Sequence, residues 1–381
     1  MDFDWTEEQV AYRNSVVEFA RRYLNDGVMT GDASMTFPVE AWKRCAEFGL
    51  QGLPVPIEYG GQGADPLTIA LAMEGLGYGC GDNGLIFSLN AQMWSCEAPL
   101  IRFGTEEQKQ RYLPGLCDGS LIGVQGMTEP GSGSDAFSLT TTARREGESY
   151  VLNGAKTFIT NAPVADIFVV FAATDRSKGV FGLSAFLVDR GRAGLGIGAP
   201  FHKMGLRTSP MSELTFDECS IPADSILGPL GAGMAIFNHS MSWERGLILA
   251  SAVGTMQRQL ETSLEYARQR HQFGKPIGKN QAVANRLVDM KVRLEASRLL
   301  LYNLAWSMGK GRPTVMESAI VKLFLSESWV QSSLDTLTTH GGLGYMSEAE
   351  VERGLRDALG SRIYSGTSDI QRNLIARHLG L

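Results

Sequence analysis

The sequence predicts a mainly α-helical protein with a β-domain set in its middle. Apolar residues recur at helical spacing, between loop signals, as far as about residue 119. Around residue 120 the pattern changes to short runs rich in β-branched and aromatic residues. From about Ala232 long amphipathic segments return. The expected domains are therefore residues 1–119, helical; 120–230, β; and 231–381, a helical bundle.

Thr6 and Gln9 stand at capping-box spacing, with Trp5 and Val10 placed as a hydrophobic staple. A first helix is thus expected from Thr6 through Val16, Val17 and Phe19. Glu58-Tyr59-Gly60-Gly61-Gln62-Gly63 reads as a glycine-rich turn, and Thr105 with Gln108 repeats the capping spacing. Strands are expected at 121–127, 149–152, 157–160, 167–172, 183–188 and 214–216. Asn153-Gly154, between two of them, predicts a two-residue hairpin. In the last third Leu287, Met290, Leu294 and Leu301 keep one helical face, and Arg286, Lys291 and Arg293 read as a solvated one.

Composition narrows the function. At 381 residues, 44% apolar and 20% charged, the chain suits a globular protein with sizeable cores, not a disordered or fibrous one. Net charge is 35 − 41 = −6, so no general attraction to nucleic acid or to an anionic membrane is expected. No run approaches the ~18 apolar residues of a spanning helix. The start, Met1-Asp2-Phe3-Asp4, is acidic where a secretory signal is basic and then apolar, and a cytoplasmic location is expected. Cys45, Cys80, Cys96, Cys117 and Cys219 form no C-x-x-C pair and read as free thiols. The histidines are equally scattered, and no metal site is expected.

Chemistry concentrates between Ser240 and Gln281. The apolar spacing around Glu244 and Arg245 places them in the first turns of a largely buried helix. A buried carboxylate needs a partner or a task, and on spacing alone the simpler account pairs Glu244 with Arg245. Met127-Thr128-Glu129-Pro130-Gly131-Ser132-Gly133-Ser134-Asp135 follows a strand and is dense in small residues. Gly131 and Gly133 let a backbone approach a ligand closely, although an ordinary β-loop would look the same.

Taken together, Arg270-His271-Gln272-Phe273-Gly274-Lys275, the Met127–Asp135 run, His340-Gly341-Gly342-Leu343-Gly344 and the stretch from Arg362 to Arg372 resemble the acyl-CoA dehydrogenase family of FAD-dependent enzymes. The resemblance spans nearly the whole chain. It implies an N-terminal helical domain, a small central β-barrel, a C-terminal four-helix bundle and a homotetramer. It also implies FAD contacts from Met127, Thr128, Gly133, Ser134, Phe158, Thr160, Thr367 and Asp369, with Ser134 near the substrate's arm as well. Phe158 stands where many members have Trp. Arg270, Gln272, Phe273, Gln281, Gly341 and Gly342 would approach the FAD of a neighbouring subunit, Arg270 meeting its pyrophosphate.

One departure decides the most. Many members carry the catalytic Glu at the position of Ser365, and a lone serine hydroxyl cannot remove an α-proton at neutral pH. A minority carries that Glu on the buried helix instead, where Glu244 stands, with a small residue at the C-terminal position. The resemblance therefore implies that Glu244 takes the α-proton of a thioester while FAD accepts a hydride. The Ser365 backbone N–H would meet the developing oxyanion, and Arg245, Tyr364 and Gly366 would line the substrate. Burial should raise the Glu244 pKa, with Arg245 offsetting the rise.

Met241-Ser242-Trp243-Glu244-Arg245, the run Thr160–Asp166 and Tyr364–Asp369 resemble the prolyl-carrier-protein dehydrogenases of pyrrole pathways. That implies an acyl or peptidyl carrier protein as partner, with proline thioesterified to its phosphopantetheine arm and oxidised to a pyrroline or pyrrole. Lys203-Met204-Gly205-Leu206-Arg207-Thr208-Ser209 resembles ordinary acyl-CoA dehydrogenases, which keeps a short or branched acyl-CoA as the alternative. A decayed, flavin-holding scaffold is the alternative of another class. Arg286, Lys291, Arg293 and Arg298 read either as a docking strip for an acidic carrier or as a solvated helix face.

Overall fold

The computed structural model describes residues 5–381, so the acidic Met1–Asp4 start lies outside it. Both bonds of the Thr6 capping box are made, and they open α1 (Glu7–Tyr23). Trp5 packs edge-on against Tyr302, their ring centroids 4.8 Å apart. α2 (Val28–Ser34), α3 (Val39–Phe48), α4 (Pro66–Gly79), α5 (Asn83–Gln92), α6 (Ala98–Phe103) and α7 (Glu106–Cys117) follow. Thr105 caps α7 with the second predicted box. A π turn, Met93–Glu97, joins α5 to α6.

The β-region holds β1 (Gly123–Gly126), β2 (Thr142–Glu146), β3 (Ser149–Thr160), β4 (Ile167–Ala173), β5 (Leu183–Asp189), β6 (Leu195–Ile197), β7 (Met211–Pro222) and β8 (Ile226–Leu227). Seven strands run in the order β6-β7-β3-β2-β4-β5-β8, and β1 pairs parallel with β4. Strands far apart in that order share one core of Leu152, Phe168, Phe186, Leu214 and Phe216, so the sheet wraps around it.

Asn153-Gly154 does not form the predicted hairpin. β3 runs straight through it, with a register shift against β7 between Leu152 and Gly154. Gly154 sits at φ +147°, and a Cβ there would stand 2.5 Å from Thr141 Oγ1. The dipeptide serves a bulge, which demands the same backbone freedom as a turn.

α8 (Gly233–Leu247), α9 (Ala250–Gln269), α10 (Gln281–Gly309) and α11 (Val315–His340) form the C-terminal bundle, with α11 packed against the other three. A short hairpin of β9 (His271–Gln272) and β10 (Lys275–Pro276) links α9 to α10. α12 (Val351–Gly360) and α13 (Ser368–His378) close the chain. Glu244 and Arg245 lie in the last turn of α8, not in the first turns of a helix, because α8 ends at Leu247 and α9 begins afresh at Ala250. No helix among the described residues is long and apolar enough to cross a membrane.

The expected solvated face of α10 is only partly solvated. Arg293 pairs with Asp335 of α11. Arg298 reaches Glu74 of α4 at 3.0 Å. Glu74, 1% exposed, also receives Arg13 of α1 and the Tyr302 hydroxyl, so one carboxylate ties α1, α4 and α10 together. Removing it would leave two half-buried guanidinium groups without their counter-charge. Glu74→Ala should therefore lose roughly 3 kcal/mol of stability, measured by denaturant unfolding at fixed protein concentration. Wild-type stability in that variant would show the cluster to be incidental.

Candidate active site

Two segments distant in sequence meet at Glu244. On α8, the Ser240 hydroxyl bonds the Trp94 carbonyl of the π turn at 2.8 Å and Gln125 Oε1 of β1 at 3.2 Å. Trp243 stacks on Trp94, centroids 5.9 Å apart. Glu244 lies one turn beyond Ser240 on the same face, so these contacts aim its carboxylate. The Ser365 hydroxyl donates to Glu244 Oε1 at 2.5 Å.

The partner segment is held in an unusual backbone conformation. Ser365 and Gly366 have φ of +56° and +84°. At Gly366 a Cβ would come within 2.6 Å of Gln371 Nε2, so glycine is required there. Gln371 itself donates to the carbonyls of Gly366, at 2.9 Å, and of Ser365, at 3.3 Å. Thr367 caps α13 by accepting from the Ile370 N–H. The Ser365 N–H has no acceptor among the described residues. Tyr364 packs on Phe87 of α5, centroids 4.5 Å apart. Asp369, exposed, pairs with Arg372.

Burial pushes the Glu244 carboxyl above the usual carboxylate range, while the Ser365 hydroxyl, Arg245 and Lys322 pull it back. This is the direction, and the Arg245 offset, that the sequence suggests. Arg245 does not take the carboxylate as a bonded partner. Its Nε is buried without an acceptor, and the Glu244 oxygen goes to Ser365.

A second constellation surrounds the Met127–Asp135 loop. Lys156 of β3 donates to Glu129 at 2.7 Å and to the Met127 carbonyl at 3.2 Å, fully buried. Glu129 also accepts from the Thr140 and Thr141 N–H groups. Burial pushes its carboxyl up, but the bonds from Lys156, Thr141 and Thr140 outweigh that and bring it down to about 2. The Thr157 N–H bonds the Thr128 carbonyl, which brings Phe158 and Thr160 alongside Met127 and Thr128. A second register shift lies between Lys156 and Ile159, where Phe158 sits at φ +57° and is 62% exposed. No protein atom lies within 4 Å of where a Cβ would stand on Gly131 or Gly133, and Ser134 is exposed. The roles of Glu129 and Lys156 are invisible in sequence, since nothing in either neighbourhood names the other.

Arg270, Gln272, Phe273, Gln281, Gly341 and Gly342 are all exposed. Tyr266 stacks on His340 at 4.4 Å, which brings the C-terminal ends of α9 and α11 together. Arg270, Gln272 and Phe273 thus share one end of the bundle with Gly341 and Gly342. Phe273, at φ +53° in the β9–β10 turn, is 93% exposed. The structure forms no hydrogen bond between this group and the Met127–Ser134 loop of the same chain. Of the basic residues on α10, Lys291 pairs with Glu295, Arg293 with Asp335 and Arg298 with Glu74, so three of the four are already engaged.

The chain thus runs helical, β and helical, with a half-buried carboxylate bonded to a serine across two distant segments. The chain belongs to the acyl-CoA dehydrogenase family. The family's N-terminal, middle and C-terminal domains match residues 6–120, 125–219 and 231–380. A crystal structure of the prolyl acyl carrier protein oxidase AnaB is 49% identical over 99% of this chain and 100% of that one, with a TM-score of 0.98. PigA with FAD and proline is 43% identical over the full length of both chains, also with a TM-score of 0.98. An L-prolyl-[peptidyl-carrier protein] dehydrogenase of Pseudomonas fluorescens is 42% identical over the whole of both chains.

The Glu129–Lys156 pair carries a pH signature. A carboxyl held at about 2 against an ordinary 4.5 stabilises the fold above pH 4.5 and loses that contribution as pH falls toward 2. Thermal midpoints of the protein and of Glu129→Gln should differ most near neutrality and converge across that window. A gap independent of pH would remove the electrostatic account.

Proposed function

We propose that this chain is a FAD-dependent dehydrogenase of a thioester-bound prolyl group, presented on the phosphopantetheine arm of a peptidyl or acyl carrier protein. The observation that carries the reading is the Ser365–Glu244 bond. It gives a chain that lacks a Glu at its C-terminal position a carboxylate at the same place. The full-length likeness to AnaB, PigA and the Pseudomonas enzyme supports proline as the acyl group.

The residues present fit FAD. The displayed Phe158 ring, the open approach at Gly131 and Gly133, and the exposed Ser134 hydroxyl offer a stacking face and polar contacts beside Met127, Thr128 and Thr160. Thr367 and Asp369 lie at the start of α13, next to the Ser365 segment. When bound, FAD supplies the two-electron acceptor for the hydride that leaves the substrate.

The chain's own residues do the proton chemistry. Glu244 removes the α-proton, made acidic by the thioester carbonyl, and its raised proton affinity strengthens it as a base. The Ser365 N–H, without an acceptor among the described residues, would be the donor for the oxygen on which negative charge develops. Arg245, Tyr364 and Gly366 border the carboxylate and shape the space for the five-membered ring.

The chain would act as a homotetramer. Phe273, with Arg270, Gln272, Gln281, Gly341 and Gly342 around it, would complete a neighbour's cofactor site. Val288, Val292 and Leu299 leave an exposed apolar stripe on α10 suited to a subunit contact. A cytoplasmic setting accords with a carrier-protein partner and with five buried free thiols.

Anaerobic addition of prolyl-carrier protein should bleach the bound flavin rapidly, while other aminoacyl carriers and a short acyl-CoA leave it yellow. Bleaching by the acyl-CoA alone would return the chain to ordinary acyl oxidation. A wild-type protein inert to all of them would favour a decayed site. Glu244→Gln should keep its flavin yet slow bleaching about 10³-fold.

A further inference from the structure

Lys322 lies in α11, fully buried, one layer beneath the Glu244–Ser365 pair. No carboxylate lies within salt-bridge distance of its Nζ among the described residues; Lys156, the other fully buried lysine, has Glu129. Instead its Nζ donates to the Ser361 carbonyl at 2.5 Å and to the Gly366 carbonyl at 3.4 Å. It also stands 5.3 Å from the centroid of the Tyr364 ring. All three contacts belong to the short segment that ends in Ser365 and Gly366. A buried ammonium without a bonded anion is costly and needs a compensating field.

We propose that Lys322 is a positioning residue for the dehydrogenation. Its two carbonyl bonds hold the left-handed Ser365-Gly366 pair in place, and its charge favours the ionised form of the Glu244 base. The inference rests on the reading of Glu244 as that base.

The groups around the carboxylate make the charge consequential. On its own helix Glu244 has Arg245. Lys322 comes from α11, and Ser365 and Tyr364 from the following segment; Glu327 of α11 acts on Lys322, and Asp357 of α12 on Tyr364. Glu327 is occupied by the Ser368 hydroxyl at 2.8 Å and by Arg362 at 3.0 Å. Asp357 accepts from Asn83 and the Leu206 N–H. Lys322 and Arg245 are therefore the two cations near Glu244 that no carboxylate has claimed. Burial pushes the Lys322 ammonium down to about 7, while Glu244 pulls it back up, so each charge favours the other.

Three substitutions separate holding from charging. Lys322→Arg keeps the charge, Lys322→Gln keeps a donor for the carbonyls without charge, and Lys322→Met keeps bulk alone. Flavin content and thermal unfolding first establish that each variant is folded. The pH dependence of flavin bleaching by prolyl thioester is then compared. The acid limb, which reports Glu244 losing its proton, should move up by about one unit in the Gln and Met variants. It should stay in place in Lys322→Arg. Lys322→Met should also lose rate at its own optimum, because the Ser365 N–H is no longer held.

A second readout needs no turnover. Difference infrared spectroscopy of the flavin-loaded protein across pH follows the protonated Glu244 carboxyl, assigned by its absence in Glu244→Gln. That band should persist to higher pH in Lys322→Gln than in wild type. Limb and band both unmoved by loss of the charge would overturn the proposal. A wild type that no thioester bleaches would instead defeat the functional reading, and the infrared titration would still decide the role of Lys322.

Discussion

The hydrogen bond from Ser365 to Glu244 constrains the rest of the structure, because its two ends come from segments with little else in common. One end sits on the last turn of α8 and the other in a left-handed turn before α13. A 2.5 Å bond between them requires both to be immobile. α8 is fixed from the side by Ser240, which bonds at once to the π turn and to β1. The turn is fixed from below by Lys322 and from within by Gln371, and α13 is fastened to α11 through Ser368 and Glu327. α11 thus touches both ends of the bond. The bundle acts as a ruler that sets the gap across which a proton would move.

The β-region solves a similar problem with a buried ion pair. The loop from Met127 to Asp135 has small residues and little apolar surface of its own, so packing cannot define its shape. Glu129 and Lys156 do so instead, through bonds to the loop's own backbone and to the strand beside it. Breaking such a pair leaves one charge buried, which makes the geometry hard to relax. On the same strand a register shift falls where Phe158 sits at positive φ and is exposed. A large ring displayed at positive φ, beside glycines with open space above them, is poor design for a core and good design for a surface that something flat will cover.

How much of this was legible depended on whether a feature's cause was local. Both capping boxes were readable because Thr6 with Gln9, and Thr105 with Gln108, contain donor, acceptor and spacing within one turn. The three-part order was readable because period is a property of long runs. Asn153-Gly154 misled because a bulge and a turn ask the same freedom of the backbone, and only the partner strand tells them apart. The place of Glu244 within its helix was misjudged because apolar spacing continues unbroken across the end of α8 into α9. The catalytic role that the family resemblance implies for Glu244 came from comparing position 365 with other members, and the Ser365 hydrogen bond to its carboxylate is compatible with it. Glu129, Lys156 and Lys322 carried no signal, since a buried lysine looks like a surface one until its surroundings are known.

If Glu244 is the base, its place on a helix rather than on the following turn changes what must be done to tune it. At the end of α8 the Glu244 carboxyl is withdrawn from water, and that desolvation raises its proton affinity. A base raised too far would hold its proton at neutral pH and be useless. Opposing charge is therefore required from outside the helix axis, and the structure supplies it with Arg245 beside the carboxylate and Lys322 beneath it. The Ser365 hydroxyl adds a donor at the point of contact. The serine at position 365 is then more than a vacated place. It is a small donor that lets the helix-borne carboxylate come within 2.5 Å of the turn while adding to the charges that keep it ionised.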